Sequence, residues 1–278
     1  MNVYTKEEIS QLIYNQIIEN KGSILAQYEA SKNNIGYFYI DDILPLEIAQ
    51  NCFEVFPKPS EMRSLKSLRE YKYVSAQMDK HHPLIENVIY AFQDEKIVKL
   101  IGNICKIDSL YADESLYAGG ISLMAKDNFL HPHLDNSHDA ERERWRVLNL
   151  LYYVTPNWQL PNGGHLELWP NGPSKEPILL ESKFNRLIVM ATHDTSWHSV
   201  NKVTVDASRC CVSNYYFSDA PLKPTDKFHV TKFRGRPEDT FTNIILDADA
   251  RLRMLLRKVF KKGVRKNPHI YKKPTSDN

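Results

Sequence analysis

Long hydrophobic runs are missing from this chain. No stretch of about 18 consecutive apolar residues occurs in its 278 residues, which excludes a membrane-spanning helix. Cysteine is scarce: Cys52, Cys105, Cys210 and Cys211 lack the paired spacing of a metal site. Cys210 and Cys211 are adjacent and point to opposite faces of any strand that holds them, which argues against a disulfide framework. The opening residues, Met1-Asn2-Val3-Tyr4-Thr5-Lys6, are too polar for the apolar segment of a secretory signal. Reduced structural thiols and a cytoplasmic location are therefore expected. Internal repeats, low-complexity segments and an obvious linker are absent too. With 42% hydrophobic and 25% charged residues the composition is that of a globular protein, and one compact domain with helical flanks is the simplest reading.

The net charge of +2 conceals an uneven distribution. From Arg251 onward ten Lys/Arg face one acidic residue, whereas the first 250 residues sum to −7. Leu252, Leu255, Leu256, Val259 and Phe260 form one helical stripe in that basic segment, with Arg251, Lys258, Lys261 and Lys262 outside it. A basic amphipathic helix of this kind suits an anionic surface, membrane or nucleic acid. Packing of the stripe on the body, charges outward, is the commoner arrangement.

Three textures divide the chain into 1–114, 115–220 and 221–278. The first is mainly helical: Thr5-x-x-Glu8 reads as a capping box before Ile9, Leu12, Ile13 and Ile17. Tyr37 to Ile40 reads as a short strand, Pro45 to Phe56 as a helix, and Ile85 to Ile104 as helix again. The second texture is short β segments, at Val147 to Val154, His165 to Trp169, Leu187 to Ala191 and Cys210 to Phe217. Turn signals such as Pro161-Asn162-Gly163-Gly164 separate them. Such spacing predicts a mainly β fold with flanking helices, built on a jelly-roll core. The third, a C-terminal extension, returns to helix from Thr240 to Val259.

The strongest chemical signal is His131-Pro132-His133-Leu134-Asp135. On a strand, His133 and Asp135 share a face and direct an imidazole and a carboxylate at one point. His198, after the Leu187 strand, supplies a third donor, and two His with one carboxylate leave open positions on a non-haem Fe(II) ion. Arg209 lies eleven residues beyond His198 across a turn-rich connection, and pairing of the flanking strands would return it to that neighbourhood. Its guanidinium suits bidentate capture of a carboxylate. Asn149, Leu151 and Tyr153 share one strand face, so the Tyr153 hydroxyl is placed to help. His131 is a candidate for a position behind the ligands and Trp197 for an aromatic wall. His193 reads as a solvated loop residue, His165 and Trp169 as barrel residues, and the run Asp139 to Arg146 as a solvated loop or a lid.

The stretch from Tyr117 to Phe217 resembles the Fe(II)/2-oxoglutarate-dependent dioxygenases, and within them the prolyl-hydroxylase-like group. The residues that carry the resemblance are His133-Leu134-Asp135-Asn136, Leu150 to Val154 with Trp158, and Gly163 to Pro170. Lys183-Phe184-Asn185-Arg186-Leu187, His198-Ser199-Val200, Ser208-Arg209-Cys210 and Tyr215-Tyr216-Phe217 follow in order. The resemblance implies a double-stranded β-helix, Fe(II) on His133, Asp135 and His198, and 2-oxoglutarate held by Arg209 and Tyr153. It also implies O2 as oxidant and ascorbate as an accessory reductant. Tyr117 stands further before His133 than the family's pocket tyrosine, so that role is not transferred. Related halogenases replace the carboxylate of Asp135 by a small residue; its retention here favours hydroxylation over desaturation or ring chemistry. The substrate expected is a peptidyl or free amino acid such as proline, or a small metabolite. Two alternatives stand beside this: a catalytically silent jelly-roll protein that binds a metal or metabolite, and a cupin-like metalloenzyme that does not use 2-oxoglutarate.

Overall fold

The first helix begins where the sequence caps it. Thr5 Oγ1 accepts from Glu8 N (3.2 Å) and Glu8 Oε2 accepts from Thr5 N (2.8 Å), which satisfies two otherwise orphaned donors. The structure, a computed structural model, describes residues 4–259 and 270–271. Its helices are α1 (Lys6–Glu19), α2 (Lys21–Ser31), α3 (Leu46–Glu54), α4 (Pro83–Ala91), α5 (Glu95–Cys105) and α6 (Thr240–Val259). The first strands are β1 (Tyr37–Ile40), β2 (Arg63–Lys66), β3 (Glu70–Ser75), β4 (Tyr111–Ala112), β5 (Gly120–Met124) and β6 (Phe129–Leu134). Then come β7 (Trp145–Tyr153), β8 (Leu166–Leu168), β9 (Ile178–Leu180), β10 (Arg186–Ala191), β11 (His198–Val200), β12 (Arg209–Ser218) and β13 (Lys232–Phe233).

Pairing is antiparallel throughout the described strands, in the order β1-β10-β7-β12-β5 on one side and β6-β11-β8-β9 on the other. Strand β3 pairs with both β5 and β6 and joins the two sides, curling the whole into the jelly roll that the sequence predicts. Alternation along the strands sorts the core. Leu187 and Val189 of β10 face outward into a cluster with Ile13, Ile17 and Val98 of the helices, while Ile188 and Met190 face the barrel interior with Tyr153 and Leu168. Cys210 and Cys211 divide the same way, and all four cysteines are free and buried. Burial pushes the Cys52, Cys105 and Cys210 thiols up to about 12, so they stay protonated and inert.

Three side chains tie the N-terminal segment to the barrel. Asn185, held at φ 60°, donates to Leu44 O (2.7 Å) and accepts from Leu44 N (3.2 Å). Ser31 and Gln27 of α2 hydrogen-bond the outer backbone edge of β1, so this edge is closed to further strands. Gly120, at φ +124°, allows β5 to approach β3: a Cβ there would sit 2.4 Å from Ser75 O.

The structure departs from the sequence reading in three places. The hairpin β2–β3 interrupts the mainly helical N-terminal region. Ile85 to Ile104 is two helices, because Asp94 caps α5 through Lys96 N (3.1 Å) and ends the preceding turn. In α6, Leu246 and Ala250 are buried while Leu252 and Leu255 are 58% and 60% exposed, so these two members of the expected stripe do not pack on the body; the side chains of Leu256 and Val259 lie outside the described residues. Phe260, Lys261 and Lys262 lie outside the described residues. Among the described residues no helix is long and apolar enough to cross a membrane.

Candidate active site

His133 and His198 are direct cross-strand partners on β6 and β11, with ring centroids 4.1 Å apart. Each imidazole is oriented from behind. His133 Nδ1 donates to His131 O and His198 Nδ1 to Ser196 O, both at 3.0 Å, which turns Nε2 of each ring toward the same point. Asp135, one residue past the end of β6, completes the group. Its Oδ1 is 3.5 Å from His133 Nε2 and its Oδ2 is 3.7 Å from His198 Nε2. The three donor atoms lie within 4.8 Å of one another.

Electrostatics favour a cation among them. Burial pushes the Asp135 carboxyl up, but His133, His198 and Arg146 outweigh it and hold the group well below the usual carboxylate range. Burial, reinforced by His133, pushes His198 down to about 4, so its ring is neutral at physiological pH. Asp135 Oδ2 is buried and accepts no hydrogen bond. An ionised carboxylate with an unspent buried oxygen, beside imidazole nitrogens aimed at one point, is a donor set suited to Fe(II).

The donors open into a cavity of about 130 Å³ inside the barrel. Tyr153, Leu151 and Asn149 line it from β7, and Arg209 from the start of β12. The Arg209 guanidinium lies 5.2 Å from the Tyr153 ring centre, and its Nε is buried without a hydrogen-bond partner. Among the described residues no acidic side chain pairs with it, so a buried cation waits for an anion. The route by which Arg209 arrives differs from the expected one. Strands β11 and β12 do not pair with each other; β11 pairs β6 and β8, and β12 pairs β4, β5 and β7, so Arg209 enters from the opposite wall.

Other sequence expectations meet mixed outcomes. His131 and Trp197 are not among the cavity-lining residues, and the Tyr117 hydroxyl accepts from Asn136 (3.3 Å) while lining an outer groove. His193 is buried, not solvated. Its Nε2 donates to Ile35 O (3.2 Å) and its Nδ1 accepts from Thr195 N (3.2 Å), so its nearness to Asp194 and Asp226 does not free it for a metal. Arg146, read as part of a solvated run, is buried with Nη1 3.6 Å from Asp135 Oδ2 and its guanidinium over the Tyr215 ring. Phe233 stacks flat on His133 at 5.1 Å. Neither contact was legible in the sequence, because a bulge and a distant strand create them.

Residues 119–217 match the family model described as the 2OG-Fe(II) oxygenase superfamily. This segment is a 2OG-Fe(II) oxygenase domain. Oxygenase domains of this superfamily use Fe(II), 2-oxoglutarate and O2, and the protein is a dioxygenase of that class. A prolyl 4-hydroxylase from Pseudomonas putida is similar in structure, with TM-score 0.52 and 14% identity, over 71% of this chain and 100% of that one. A prolyl 4-hydroxylase from Phytophthora capsici gives TM-score 0.55 and 16% identity, over 94% and 82%. At such identities the likeness is one of fold. No curated protein sequence matches the chain.

Proposed function

We propose that this oxygenase domain hydroxylates a C–H bond of an amino-acid substrate, peptidyl or free, with proline as the first to test. His133, Asp135 and His198 would hold Fe(II), and Arg209 with Tyr153 would hold the distal carboxylate of 2-oxoglutarate. The observation that carries this reading is the buried guanidinium that, among the described residues, has no anionic partner in the same cavity as the three donors. A silent binding protein or a cupin-like enzyme without 2-oxoglutarate has no use for such a cation, whose burial is costly unless something pairs with it.

When bound, Fe(II) couples oxidative decarboxylation of 2-oxoglutarate by O2, to succinate and CO2, to insertion of the other oxygen atom into the substrate. The chain supplies orientation. The carbonyls of His131 and Ser196 fix the tautomers of the two imidazoles, and Arg146 steadies Asp135 from behind. Arg209 and Tyr153 set how deep the cosubstrate sits, and Phe233 covers one face of His133 against water. The fold shared with prolyl 4-hydroxylases supports proline as a first substrate, although fold does not fix substrate. Four buried free thiols fit a reducing compartment, which supports a cytoplasmic location. The contact of the basic C-terminal helix with an anionic surface rests on sequence alone.

Anaerobic mixing with Fe(II) and 2-oxoglutarate should give a weak visible charge-transfer band. A succinate-release screen across free amino acids, proline-containing peptides and saccharides then identifies the substrate. No band and no succinate with any of them would sink the reading.

A further inference from the structure

Strand β3 lies outside the segment that matches the oxygenase family, yet it forms part of the cavity wall. Val74 pairs with Ser122 of β5 and Glu70 with Leu130 of β6, which carries β3 across the seam between the two sides of the barrel. Alternation places Glu70, Lys72 and Val74 on one face and Tyr71 and Tyr73, their hydroxyls 3.4 Å apart, on the other. Lys72 and Arg209 are the two Lys/Arg residues that line the cavity. Arg209 has no acidic partner there, whereas Lys72 Nζ rests 3.0 Å from Glu70 Oε2.

The Glu70–Lys72 pair stands beside the metal-binding histidines. The Lys72 charge bears on His198, and Glu70 feels His133. Burial pushes the Glu70 carboxyl up, but Lys72, then His133 and Arg69, outweigh it and hold it below its ordinary value. Both side chains keep about a fifth of their surface exposed (22% and 21%), so the pair is only partly buried.

2-Oxoglutarate carries two carboxylates, one at each end. With the distal one on Arg209, the one beside the keto group lies at the histidine end, where Asp135 already contributes a negative charge. Fe(II) on the three donors would offset that charge and take one oxygen of the carboxylate, and Lys72 is the cation of the wall left to pair with the other. We propose that Lys72 binds the carboxylate next to the keto group of 2-oxoglutarate, exchanging Glu70 for it. This rests on the reading of the cavity as the cosubstrate site.

Truncated ligands assign each cation to its end. Equilibrium binding to the Ni(II)-loaded full chain is compared for 2-oxoglutarate, for 2-oxopentanoate, which lacks the distal carboxylate, and for 4-oxopentanoate, which lacks the near one. Lys72→Gln should weaken 2-oxoglutarate and 2-oxopentanoate at least about tenfold and leave 4-oxopentanoate unchanged. Lys72→Arg, which keeps the charge, should recover most of the loss. Arg209→Ala should show the opposite pattern, with 2-oxopentanoate spared. If Lys72→Gln weakened 4-oxopentanoate instead, Lys72 would serve the distal end and the proposal would be wrong. Glu70→Gln/Lys72→Gln separates direct contact from mere neutralisation of Glu70: the loss must persist in the double variant, and its disappearance overturns the proposal. If Arg209→Ala left 2-oxoglutarate binding unchanged, the cosubstrate reading itself would fail, whatever Lys72 does.

Discussion

The deep end of the cavity and its rim are built from different material. Tyr153 and Arg209 stand on β7 and β12, neighbours over most of their length, whose outward faces carry Leu150, Tyr152 and Val212 into the helix-covered core. Glu70 and Lys72 on β3 and Phe233 on β13 come from the rim, where β13 is only two residues long. Ion pairs fasten this rim: Lys72 to Glu70, Arg69 to Asp249, and Arg236 to Glu167 at 2.6 Å. Extensive apolar burial holds positions tightly, whereas exposed or half-exposed ion pairs contribute little each. Changes at the deep end should therefore abolish or cripple the reaction, and changes at the rim should tune binding while leaving the fold alone.

The largest effect is expected at the metal donors. Asp135→Ala or His198→Ala would leave two of the three proposed ligands, and succinate formation should fall to background while the circular dichroism spectrum is kept. Wild-type turnover in either variant would overturn the triad. Arg209→Ala comes next. A charge-assisted contact contributes about 1.5–3 kcal/mol, so the 2-oxoglutarate requirement should rise about ten- to a hundredfold with the Fe(II) requirement unmoved. Tyr153→Phe should raise it less, and Arg209→Lys should recover part, as one ammonium cannot reproduce the planar fork. Titration of succinate formation against each component reads all three.

The same division explains what the sequence disclosed. His133, Asp135, His198 and Arg209 were legible because short-range spacing and the order of segments carry them, and the barrel followed from turn signals between apolar runs. Arg146 was not. From Asn149 to Tyr153 the odd-numbered residues of β7 face the cavity, but β7 holds an extra residue where Tyr216 pairs with Leu148 and Phe217 with Arg146. That bulge reverses the alternation and swings Arg146 under Asp135. Lys72 and Phe233 depend on pairings with β5 and β6 that no local pattern announces. The hairpin β2–β3 is rich in charge, with Arg63, Lys66, Glu70 and Lys72, so its period of two carries little hydrophobic signal.

A third expectation concerns His193, which joins the loop before β11 to the N-terminal segment through Ile35 O. Burial first, then Lys223, pushes its pKa from 6.5 down to about 4. The folded protein thus keeps the ring neutral, while the unfolded chain takes up a proton once pH falls below about 6.5. The stabilisation is fully present above that value and is lost as pH falls toward about 4, at no more than about 1.4 kcal/mol per pH unit. Denaturant unfolding of the Ni(II)-loaded protein, in which the proposed ligand His198 would be held by the metal, should include this slope between pH about 7 and about 5. His193→Gln, which keeps one donor and one acceptor, should make it shallower by up to one proton's share, while His131, His165 and His229, also pushed down by burial, keep theirs. An unchanged slope in that variant would assign the pH dependence to other groups.

The smallest effect is expected where the rim meets the metal donors. Phe233 lies parallel to the His133 ring (15° between planes) because β13 pairs with β6 directly opposite it, and Arg236 on Glu167 anchors the chain just beyond. A well-placed aromatic pair contributes about 0.5–1.5 kcal/mol beyond its buried area. Phe233→Leu keeps apolar cover but removes the flat stack, freeing His133 to rock about its Nδ1 hydrogen bond. Metal affinity should therefore fall about two- to tenfold, which equilibrium Fe(II) or Ni(II) titration resolves. Once metal saturates the site, the 2-oxoglutarate requirement should return to that of the unaltered protein, because Phe233 does not line the cavity. Phe233→Tyr retains the ring and should retain the affinity. If Phe233→Leu instead raised the 2-oxoglutarate requirement at saturating metal, the two ends of the pocket would be coupled through the seam. The rim would then be part of the catalytic frame, not a surface laid over it.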